Sequence, residues 1–462
     1  MINWSIRSTL SAAVLGKLHR LVKHALDSGA AASIAEAEAL FAGYRLALRI
    51  GENAARDRHH QVTLLTAVAL ARRVFLGGVS VWPLPDTPLI APLPLGATLA
   101  EAVAALGGSI AEPAVGTPVI EIGGTPSARC APFHVRAVFA GWRGGIVPAP
   151  AEAAPAPAPI MALAPMLAAA LAVNEAFLHV SGHVGIAGRR MVGLSLWDPS
   201  PASDWLADAG NEPALSLLPA RLWLIGLGHL GQAYLWALWL LPFARPQDLS
   251  LILQDIDIIT PSTESTSILS DAALINVKKT RAMAAWAERR GFTTAIHERL
   301  FDASFRRQDD EPAVALCGLD NGAGRQALDQ VGFDFVVEAG LGRGHRDFRA
   351  IRLHTLPASR PASQIWRGAQ ADDQVEDRPA YKGMLASGAL DRCGVTLLAG
   401  KAIGAPFVGA AAATLALSEV LRLLHGGVIH ELIDVDLKVP EYREAVLTRK
   451  NFNTLNPGFV PV

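Results

Sequence analysis

The stretch LWLIGLGHLG, residues 222–231, joins an apolar run to three glycines spaced as GxGxxG. A second apolar stretch, Ala233 to Leu241, follows at once and has the length of a helix. At this spacing Gly226 permits a tight turn, Gly228 lets backbone N–H groups approach a ligand, and Gly231 permits close packing of helix on strand. The stretch predicts a strand, a turn and a helix that hold a phosphate group, and it leaves NAD, FAD and ATP open. The simpler interpretation is an ordinary glycine-rich connection.

Acidic residues end the next apolar runs. Asp255 and Asp257 follow the run 251–253, and Asp320 follows the run 314–316. The carboxyl ends of parallel strands meet at one edge of a sheet, so these carboxylates are expected near the glycine turn. Asp255 stands where a ribose hydroxyl would lie, and Asp257 adds a carboxylate on the same side of the chain. Asp320 can hold Mg²⁺ against phosphates, or it can be a simple turn residue in Asp-Asn-Gly.

Lys278 lies between these acids in a segment with helical spacing. It places a cation where a phosphate could bind, and its simpler interpretation is a solvated helix lysine. The alternation of strand and helix from Leu222 onward predicts a Rossmann-like α/β domain with a mostly parallel sheet. This domain is assigned to residues 201–462, after a Pro-rich connection.

Residues 1–200 are assigned to a first domain whose start is helical, with helical spacing at 35–49 and 61–74. Within it, residues 164–182 resemble residues 405–426, and each segment ends in a glycine seven residues after a glutamate. One interpretation is coincidence between two Ala-rich helices. The other is duplication, in which a degenerate N-terminal α/β half lacks the glycine turn and precedes an intact half.

Composition narrows the class of protein. With 462 residues, 51% hydrophobic and 18% charged, the chain can bury the cores of two or three domains. A net charge of −1 gives no electrostatic reason to expect nucleic acid. No uninterrupted apolar stretch reaches the ~18 residues of a membrane span. We therefore expect a cytoplasmic protein without a membrane partner. The three cysteines form no CxxC pair, which argues against a disulfide framework or a cysteine zinc site.

In this order, the motifs resemble the adenylation domain of the ThiF/MoeB/ubiquitin-activating enzyme superfamily. IGLGHLG, LILQDIDIITPS, Lys278 and CGLDNGAGR carry the resemblance, which covers residues 222–427. Ubiquitin-activating enzymes pair an inactive adenylation half with an active one, which is the tandem layout proposed for this chain. Among bacterial members, the chain is most similar to activating enzymes of ubiquitin-like conjugation operons that act in phage defence.

The resemblance implies ATP and Mg²⁺ as cofactors, and it implies a role for each matched residue. The three glycines form the nucleotide loop, and Asp255, with Asp257 beside it, contacts the ribose. Lys278 neutralises phosphate charge, and Asp320 binds the metal. The residues Asn321 and Arg325 belong to the same motif as Asp320 and complete the nucleotide site.

The chain departs from the superfamily pattern after Asp257. The pattern has Asn and Arg where this chain has Thr263 and Thr266, so an arginine that contacts ATP is missing. In this superfamily an arginine from the partner half can reach the active site. Arg56 and Arg58 are the candidates for that role, and the simpler interpretation of each is a solvated basic helix face.

The three cysteines receive different interpretations. Cys317 lies within an apolar run and is expected in the core, and Cys130 is interpreted as a structural residue of the degenerate half. Cys393 follows the long polar stretch 357–392, where simpler members of the superfamily carry a cysteine in a mobile crossover loop. Arg392 beside it would favour the thiolate. We expect Cys393 to be the nucleophile, and the alternative is a small buried apolar residue.

The sequence-based hypothesis is ATP-dependent activation of a ubiquitin-like protein. The terminal carboxylate of that partner attacks the α-phosphate, Cys393 captures the acyl group as a thioester, and a conjugating enzyme receives it. The alternatives are an NAD(P)- or FAD-dependent oxidoreductase, a sulfur-carrier adenylyltransferase and a non-catalytic scaffold. A homodimer is a further option.

Overall fold

The computed structural model describes residues 18–207, 210–367, 378–387, 390 and 392–462. Its first sheet has the strand order β2-β1-β3-β4-β5-β6, in which β1 to β4 run parallel and β5 and β6 are antiparallel. These strands are β1 (Leu46–Ile50), β2 (Val79–Val81), β3 (Val119–Ile122), β4 (His134–Ala140), β5 (Arg143–Pro148) and β6 (Val192–Ser195).

The second sheet contains the strand that precedes the glycine turn at residues 226–231, and its order is β10-β9-β8-β11-β12-β13-β14-β15. A small antiparallel pair joins β7 (Leu217–Pro219) to β16 (Phe459–Pro461). The strands of the second sheet are β8 (Arg221–Ile225), β9 (Ser250–Gln254), β10 (Thr293–His297), β11 (Val314–Cys317), β12 (Phe335–Leu341), β13 (Ala350–Leu356), β14 (His430–Asp436) and β15 (Glu444–Leu447).

The described α-helices lie between and around these strands. They are α1 (Lys23–Ser28), α2 (Ile34–Ala42), α3 (Glu52–Ala55), α4 (Arg58–Ala71), α5 (Leu99–Ala105), α6 (Ala164–Val180), α7 (His229–Leu240), α8 (Pro261–Glu264), α9 (Lys279–Arg290), α10 (Gly322–Gln326), α11 (Ala362–Ile365), α12 (Pro379–Ala386), α13 (Arg392–Gly400) and α14 (Pro406–Leu424). Short 3₁₀ turns occur at Pro246–Asp248 and Ala272–Leu274.

The two sheets repeat one topology. The order β9-β8-β11-β12-β13-β14 matches β2-β1-β3-β4-β5-β6, with the same change from parallel to antiparallel after the fourth strand. In each half the first strand of the chain lies in the middle of the sheet, as in doubly wound α/β folds. The predicted α/β class with a mostly parallel sheet is confirmed, and the repeated topology favours duplication over coincidence.

The two similar Ala-rich segments are equivalent helices at the centre of the molecule. Helix α6 packs on α4 and on α14, and α14 packs on α7, so the halves meet helix to helix. Nearly every residue of α6 and α14 is buried, as expected for helices that are apolar on all sides. Gly182 and Gly426 follow these helices in left-handed conformations, with φ of 69° and 68°. Both copies of the helix are therefore terminated in the same way, by a glycine in the left-handed conformation.

Hydrogen bonds also join the two halves. Trp236 Nε1 donates to Thr66 Oγ1 at 3.0 Å, and Asn174 Nδ2 donates to the Leu437 carbonyl oxygen at 2.9 Å. One described helix, α14, is long and apolar enough for a membrane span by composition alone, and 89% of its most apolar window is buried inside the protein. The helix thus serves as the core between the sheets.

One local prediction is wrong. Helical spacing was expected through residues 35–49, but α2 ends at Ala42 and Leu46–Ile50 forms β1. Leu46, Leu48 and Ile50 are buried, so the apolar residues follow the two-residue period of a strand over this short range. The helix expected at 61–74 is confirmed by α4.

Candidate active site

A cavity of about 490 Å³ lies at the carboxyl edge of the second sheet. Strands β8, β9 and β11 end level with one another there, because Ile225 pairs with Gln254 on one side and with Cys317 on the other. From β8 the chain runs to β9 and β10 on one side of the sheet and then to β11 on the other side of β8, so the strand order reverses here, at the kind of point where open α/β sheets bind ligands. The predicted glycine turn and acidic residues therefore meet at one place.

The glycine turn has the geometry that its spacing predicts. Gly226 has φ of 82°, and its N–H donates to the Gln254 carbonyl oxygen at 2.9 Å. A Cβ on Gly231 would lie 2.0 Å from the Gly226 carbonyl oxygen, whereas a Cβ on Gly228 would meet no atom within 4 Å. Gly228 lines the cavity and begins α7 without a side-chain cap. The free N–H groups of that helix start can bind an anion.

Asp255 fixes this turn. Its Oδ2 accepts the Leu227 N–H at 2.7 Å, and its Oδ1 accepts the Asp257 N–H at 2.8 Å. Both oxygens of the carboxylate are thus engaged by backbone donors. The ribose contact of Asp255 stays a prediction, and the two hydrogen bonds show that this carboxylate also holds the glycine turn against the end of β9.

Among the described lining residues of the cavity, the lysine is Lys279. Its Nζ lies 2.8 Å from Asp257 Oδ2 and 3.5 Å from Asp255 Oδ2. Lys278, the residue predicted from sequence, instead directs its ammonium to the Ile256 carbonyl oxygen and does not line the cavity. The difference arises because Lys278 only precedes α9, where its backbone is not helical, and the first residue of the helix faces the sheet edge.

Asp320, Asn321 and Arg325 all line the cavity. Asp320 is exposed there, while Asn321 Oδ1 accepts the Gly324 N–H at 2.7 Å and so caps α10. Arg325 donates from Nε to the Leu319 carbonyl oxygen at 3.0 Å. Asn321 and Arg325 therefore shape the turn that presents the Asp320 carboxylate.

Arg20 reaches this cavity from the N-terminal half, and sequence analysis missed it. Its Nε donates to the Ala402 carbonyl oxygen at 3.1 Å, and its backbone N–H donates to Ser265 Oγ at 3.1 Å, next to Thr266. Burial lowers the pKa of Arg20, while the nearby Asp320 raises it. Arg20 thus enters beside the position where the superfamily arginine is missing.

The two arginines proposed from sequence for this role lie elsewhere. Arg56 is exposed and pairs with Glu52 at 2.7 Å, and neither Arg56 nor Arg58 lines the cavity. Arg20 is the described arginine of the N-terminal part of the chain that lines the cavity. Arg20 was not identifiable from the sequence because it belongs to no motif. Only the packing of the N-terminal segment brings it to the cavity.

The N-terminal segment is held by a buried cluster around Asp27. The hydroxyl of Tyr381 donates a hydrogen bond to Asp27 Oδ1, and Asp27 Oδ2 accepts a hydrogen bond from Lys23 Nζ. Arg378 NH1 lies 3.2 Å from Asp27 Oδ2. These contacts tie α1, which follows Arg20 in the chain, to α12, which precedes Cys393 in the chain.

The lining of the cavity favours an anionic ligand. Among the described residues it contains the cations Arg20, Lys279, Arg299, Arg325 and Arg343, against the carboxylates Asp255, Asp257 and Asp320. A cleft with an excess of one charge raises the local concentration of ligands of opposite charge. Asp320 supplies the oxygen donor that Mg²⁺ prefers, so a polyphosphate with its metal fits this donor set.

The structure describes the side chain of Cys317 and the backbone of Cys393. Cys317 is fully buried, and burial raises its pKa to about 12, which confirms a core role. The backbone of Cys393 lies in α13, and its side chain lies outside the described residues. Helix α13 leads directly to residues 402–405, which line the cavity. The role of Cys393 stays a prediction.

Glu338 is a fully buried carboxyl group beside the cavity residue Arg325. Its Oε1 lies 2.7 Å from Arg325 Nε, but that N–H donates to Leu319, so neither carboxyl oxygen receives a hydrogen bond. Burial raises the pKa of Glu338 to about 7, against the opposing attraction of Arg325. The folded protein therefore binds this proton more tightly than the unfolded chain.

Glu338→Gln is expected to remove a pH dependence of stability. A raised carboxyl pKa stabilises the fold below about pH 4.5, and that contribution is lost as pH rises through about 7. Between pH 4 and 8 the wild type should lose about 3 kcal/mol of unfolding free energy that the variant retains. Urea unfolding at several pH values measures this, with the exposed Glu112→Gln as control. Parallel pH curves for wild type and Glu338→Gln would contradict it.

The second of the two repeated α/β units keeps the glycine turn and forms the described cavity, which is the arrangement expected of the E1-like class of proteins. The chain belongs to the BilD family of bacterial E1-like proteins. The BilD N-terminal domain matches residues 45–196, and the BilD C-terminal domain matches residues 218–427. The chain is 47% identical over 421 residues to the bacterial E1-like protein BilD of Collimonas sp. (strain OK412), with 90% of each chain covered.

Similar solved structures include MccB of E. coli. The structure of MccB with ATP has a TM-score of 0.35 and 11% identity, and the match covers 51% of this chain and 65% of MccB, less than two thirds of its length. The structure of MccB with AMPCPP and MccA has a TM-score of 0.34 and 12% identity, with 51% and 65% covered.

Proposed function

We propose that this chain uses MgATP to activate the C-terminal carboxylate of a ubiquitin-like protein. The acyl group would then pass to Cys393 as a thioester and on to a conjugating enzyme. The observation that carries the proposal is the convergence of an intact glycine loop, the exposed Asp320 and the incoming Arg20 on one cavity. Membership of an E1-like family supports it.

The first step needs alignment and charge neutralisation more than covalent chemistry by the protein. The N–H groups at the start of α7 would hold phosphate oxygens, and Arg20 and Lys279 would offset negative charge. Mg²⁺ on Asp320 would neutralise the phosphates when bound. A carboxylate oxygen of the partner attacks the α-phosphorus, the bond to pyrophosphate breaks, and an acyl adenylate remains.

In the second step, the Cys393 thiolate attacks the acyl carbonyl carbon and AMP leaves. Helix α13 lies a few residues before the cavity-lining segment 402–405, so a short movement of α13 would carry the cysteine toward the adenylate. Tyr381 and Arg378, which precede α13 in the chain, contact Asp27 of α1. A movement of this part of the chain would therefore also change the contacts of α1 next to Arg20.

Cys393→Ala is expected to separate the two steps. ATP–pyrophosphate exchange in the presence of the ubiquitin-like partner should stay within about twofold of wild type, because adenylation precedes the thiol step. The reductant-sensitive adduct seen on a gel should disappear. Cys393→Ser is the matched control and should form an adduct that resists reductant, since an ester replaces the thioester.

Each outcome bears on one part of the proposal. If Cys393→Ala abolishes exchange or keeps the adduct, the cysteine assignment is wrong while adenylation stands. If wild type with its partner shows no exchange, adenylation is wrong. Calorimetry separates the oxidoreductase alternative, which requires uptake of a nicotinamide or flavin nucleotide and no magnesium-dependent uptake of ATP.

A further inference from the structure

Cys130 was interpreted from sequence as structural, and the structure corrects this. Its side chain is exposed, in the loop between β3 and β4. Arg49 NH1 lies 3.3 Å from Cys130 Sγ, and His134 Nδ1 lies 3.5 Å from the same sulfur. An exposed thiol between a guanidinium and an imidazole is in the kind of environment that makes a cysteine nucleophilic.

The imidazole of His134 is oriented as a base. The ring is 2% exposed, and its Nε2 lies 3.2 Å from Glu121 Oε2. The Cys130 N–H donates to His134 Nδ1 at 3.4 Å, so Nδ1 carries the lone pair and Nε2 carries the proton. The same nitrogen lies 3.5 Å from Cys130 Sγ, so its lone pair is shared between the backbone N–H and the thiol, within reach of the proton that a Cys–His nucleophilic site transfers.

Glu121 is held as an ionised carboxylate. The hydrogen bond from His134 lowers its pKa, and Ser127 Oγ donates to the same oxygen at 3.3 Å. A base with its second nitrogen bound to a carboxylate keeps one tautomer and stabilises the imidazolium that forms during reaction. Cys130, His134 and Glu121 thus stand in the order nucleophile, base and orienting acid.

The scaffold of this cluster is the sheet itself. Arg49 on β1, Glu121 on β3 and Arg136 on β4 occupy the same register position on three neighbouring strands. Arg136 donates to the carbonyl oxygens of residues 124 and 151, which fixes the loops beside the sheet. The base, its acid and the guanidinium therefore rest on paired strands, and only the thiol lies on a loop.

We propose that Cys130, His134 and Glu121 form a second nucleophilic site, in the N-terminal half, that accepts acyl groups from activated esters and thioesters. None of these residues lines the nucleotide cavity. The base and its acid favour acyl transfer over reaction with peroxide, because an acyl reaction needs a group that first accepts and then returns a proton. The site is independent of the adenylation proposed above.

The proposed reaction uses the thiol, the imidazole and one water molecule. The thiol proton moves to His134 Nδ1 as Sγ attacks the carbonyl carbon, and the bond from that carbon to the leaving oxygen or sulfur breaks. His134 returns the proton to the leaving group. Water then attacks the acyl-cysteine, the carbon–sulfur bond breaks, and the protein is restored with a free carboxylic acid as product.

The test uses the full chain with Cys393→Ala and p-nitrophenyl acetate as the probe. This background leaves Cys130 and the buried Cys317 as thiols. A burst of one p-nitrophenolate per chain and a single acetyl group on Cys130, located by peptide mass analysis, are expected. Cys130→Ala should lose both signals without a change in melting temperature, because the side chain is exposed.

Variants of the base and its acid decide whether the cluster acts as a unit. His134→Gln should slow acylation about 100-fold. Glu121→Ala should slow it about tenfold, and Glu121→Gln should not restore the rate, because its amide oxygen can accept a hydrogen bond from the imidazole N–H but carries no charge to stabilise the imidazolium. Arg49 is half-buried. Arg49→Gln leaves the base intact but removes the guanidinium beside the thiol, so it should slow acylation about tenfold.

Several results would overturn the proposal. Acetylation of other residues would do so, as would a Cys130 rate equal to that of an unstructured cysteine peptide and unchanged in His134→Gln and Arg49→Gln. Preferential conversion of Cys130 to sulfenic acid by hydrogen peroxide, without acylation by the ester, would assign the thiol to redox chemistry instead. Pyrophosphate exchange is measured in parallel, so failure of adenylation and failure of this site are distinguished.

Discussion

Replacing Asp320 with alanine is expected to lower ATP–pyrophosphate exchange by about 10³-fold or more. Asp320 is the exposed carboxylate that follows β11 and lines the cavity, and it is the described group best suited to hold Mg²⁺ against phosphates. A metal ion contributes several kcal/mol to the neutralisation of phosphate charge, and about 1.4 kcal/mol corresponds to tenfold in rate.

The control for this variant is Asp309→Ala, which removes an exposed carboxylate that does not line the cavity and should leave exchange unchanged. The melting temperature of Asp320→Ala without ligand should match wild type, because the carboxylate is exposed. Its stabilisation by MgATP should be lost. Exchange within about tenfold of wild type would exclude Asp320 as the metal ligand.

Arg20→Ala is expected to lower exchange by about 100-fold or more. Arg20 is the cation that the N-terminal half brings to the cavity, within electrostatic reach of Asp320. A charge aimed at developing negative charge contributes about this much to rate when its removal leaves the site otherwise intact. The loss should appear mainly in kcat, since the loop N–H groups and the remaining cations still hold the nucleotide.

Arg56→Ala is the matched control, because Arg56 is exposed, pairs with Glu52 and lies outside the cavity lining. It should exchange at the wild-type rate. Arg20→Lys should retain part of the activity because it keeps the positive charge, although lysine lacks the planar guanidinium group of arginine. If Arg56→Ala impairs exchange and Arg20→Ala does not, the original sequence-based assignment is restored.

These two variants test opposite sides of one cavity. Asp320 comes from the intact half and Arg20 comes from the segment that precedes the degenerate half. The degenerate half has β1 and α4 where the intact half has β8 and α7, but no glycine turn connects them. Arg20 is held at the cavity by its own bond to Ala402 and by the Asp27 cluster, which ties α1 to α12, while the degenerate half packs on the intact half through α6 and α14.

The glycine turn was predictable in detail because its geometry is local. Gly226 has a positive φ, and Gly231 has no room for a Cβ, and both requirements follow from turning sharply between a strand and the helix that packs on it. The acids at 255 and 320 were predictable for a related reason: residues that follow parallel strands in such a fold meet at one sheet edge.

The sequence did not distinguish Lys278 from Lys279 as the lysine that lines the cavity, because the rotation of a helix start about its axis is decided by packing. Lys278 and Lys279 are chemically equivalent neighbours, and sequence spacing did not tell which of them faces the sheet. The ion pairs of Lys279 with Asp255 and Asp257 select it in the folded protein. Similarly, a helical period and a strand period were not separable over the few residues that form β1.

Local chain chemistry was enough to predict the α/β class, the glycine turn and the carboxylates of the nucleotide cleft, since each depends on residues close together in the chain. Tertiary structure alone decided that Arg20 lines the same cavity as Asp320, because the two residues are 300 positions apart and are brought together by packing of the two halves. It also decided that Cys130 has an arginine and an oriented base beside it, since Arg49, Glu121 and His134 become neighbours only when β1, β3 and β4 pair.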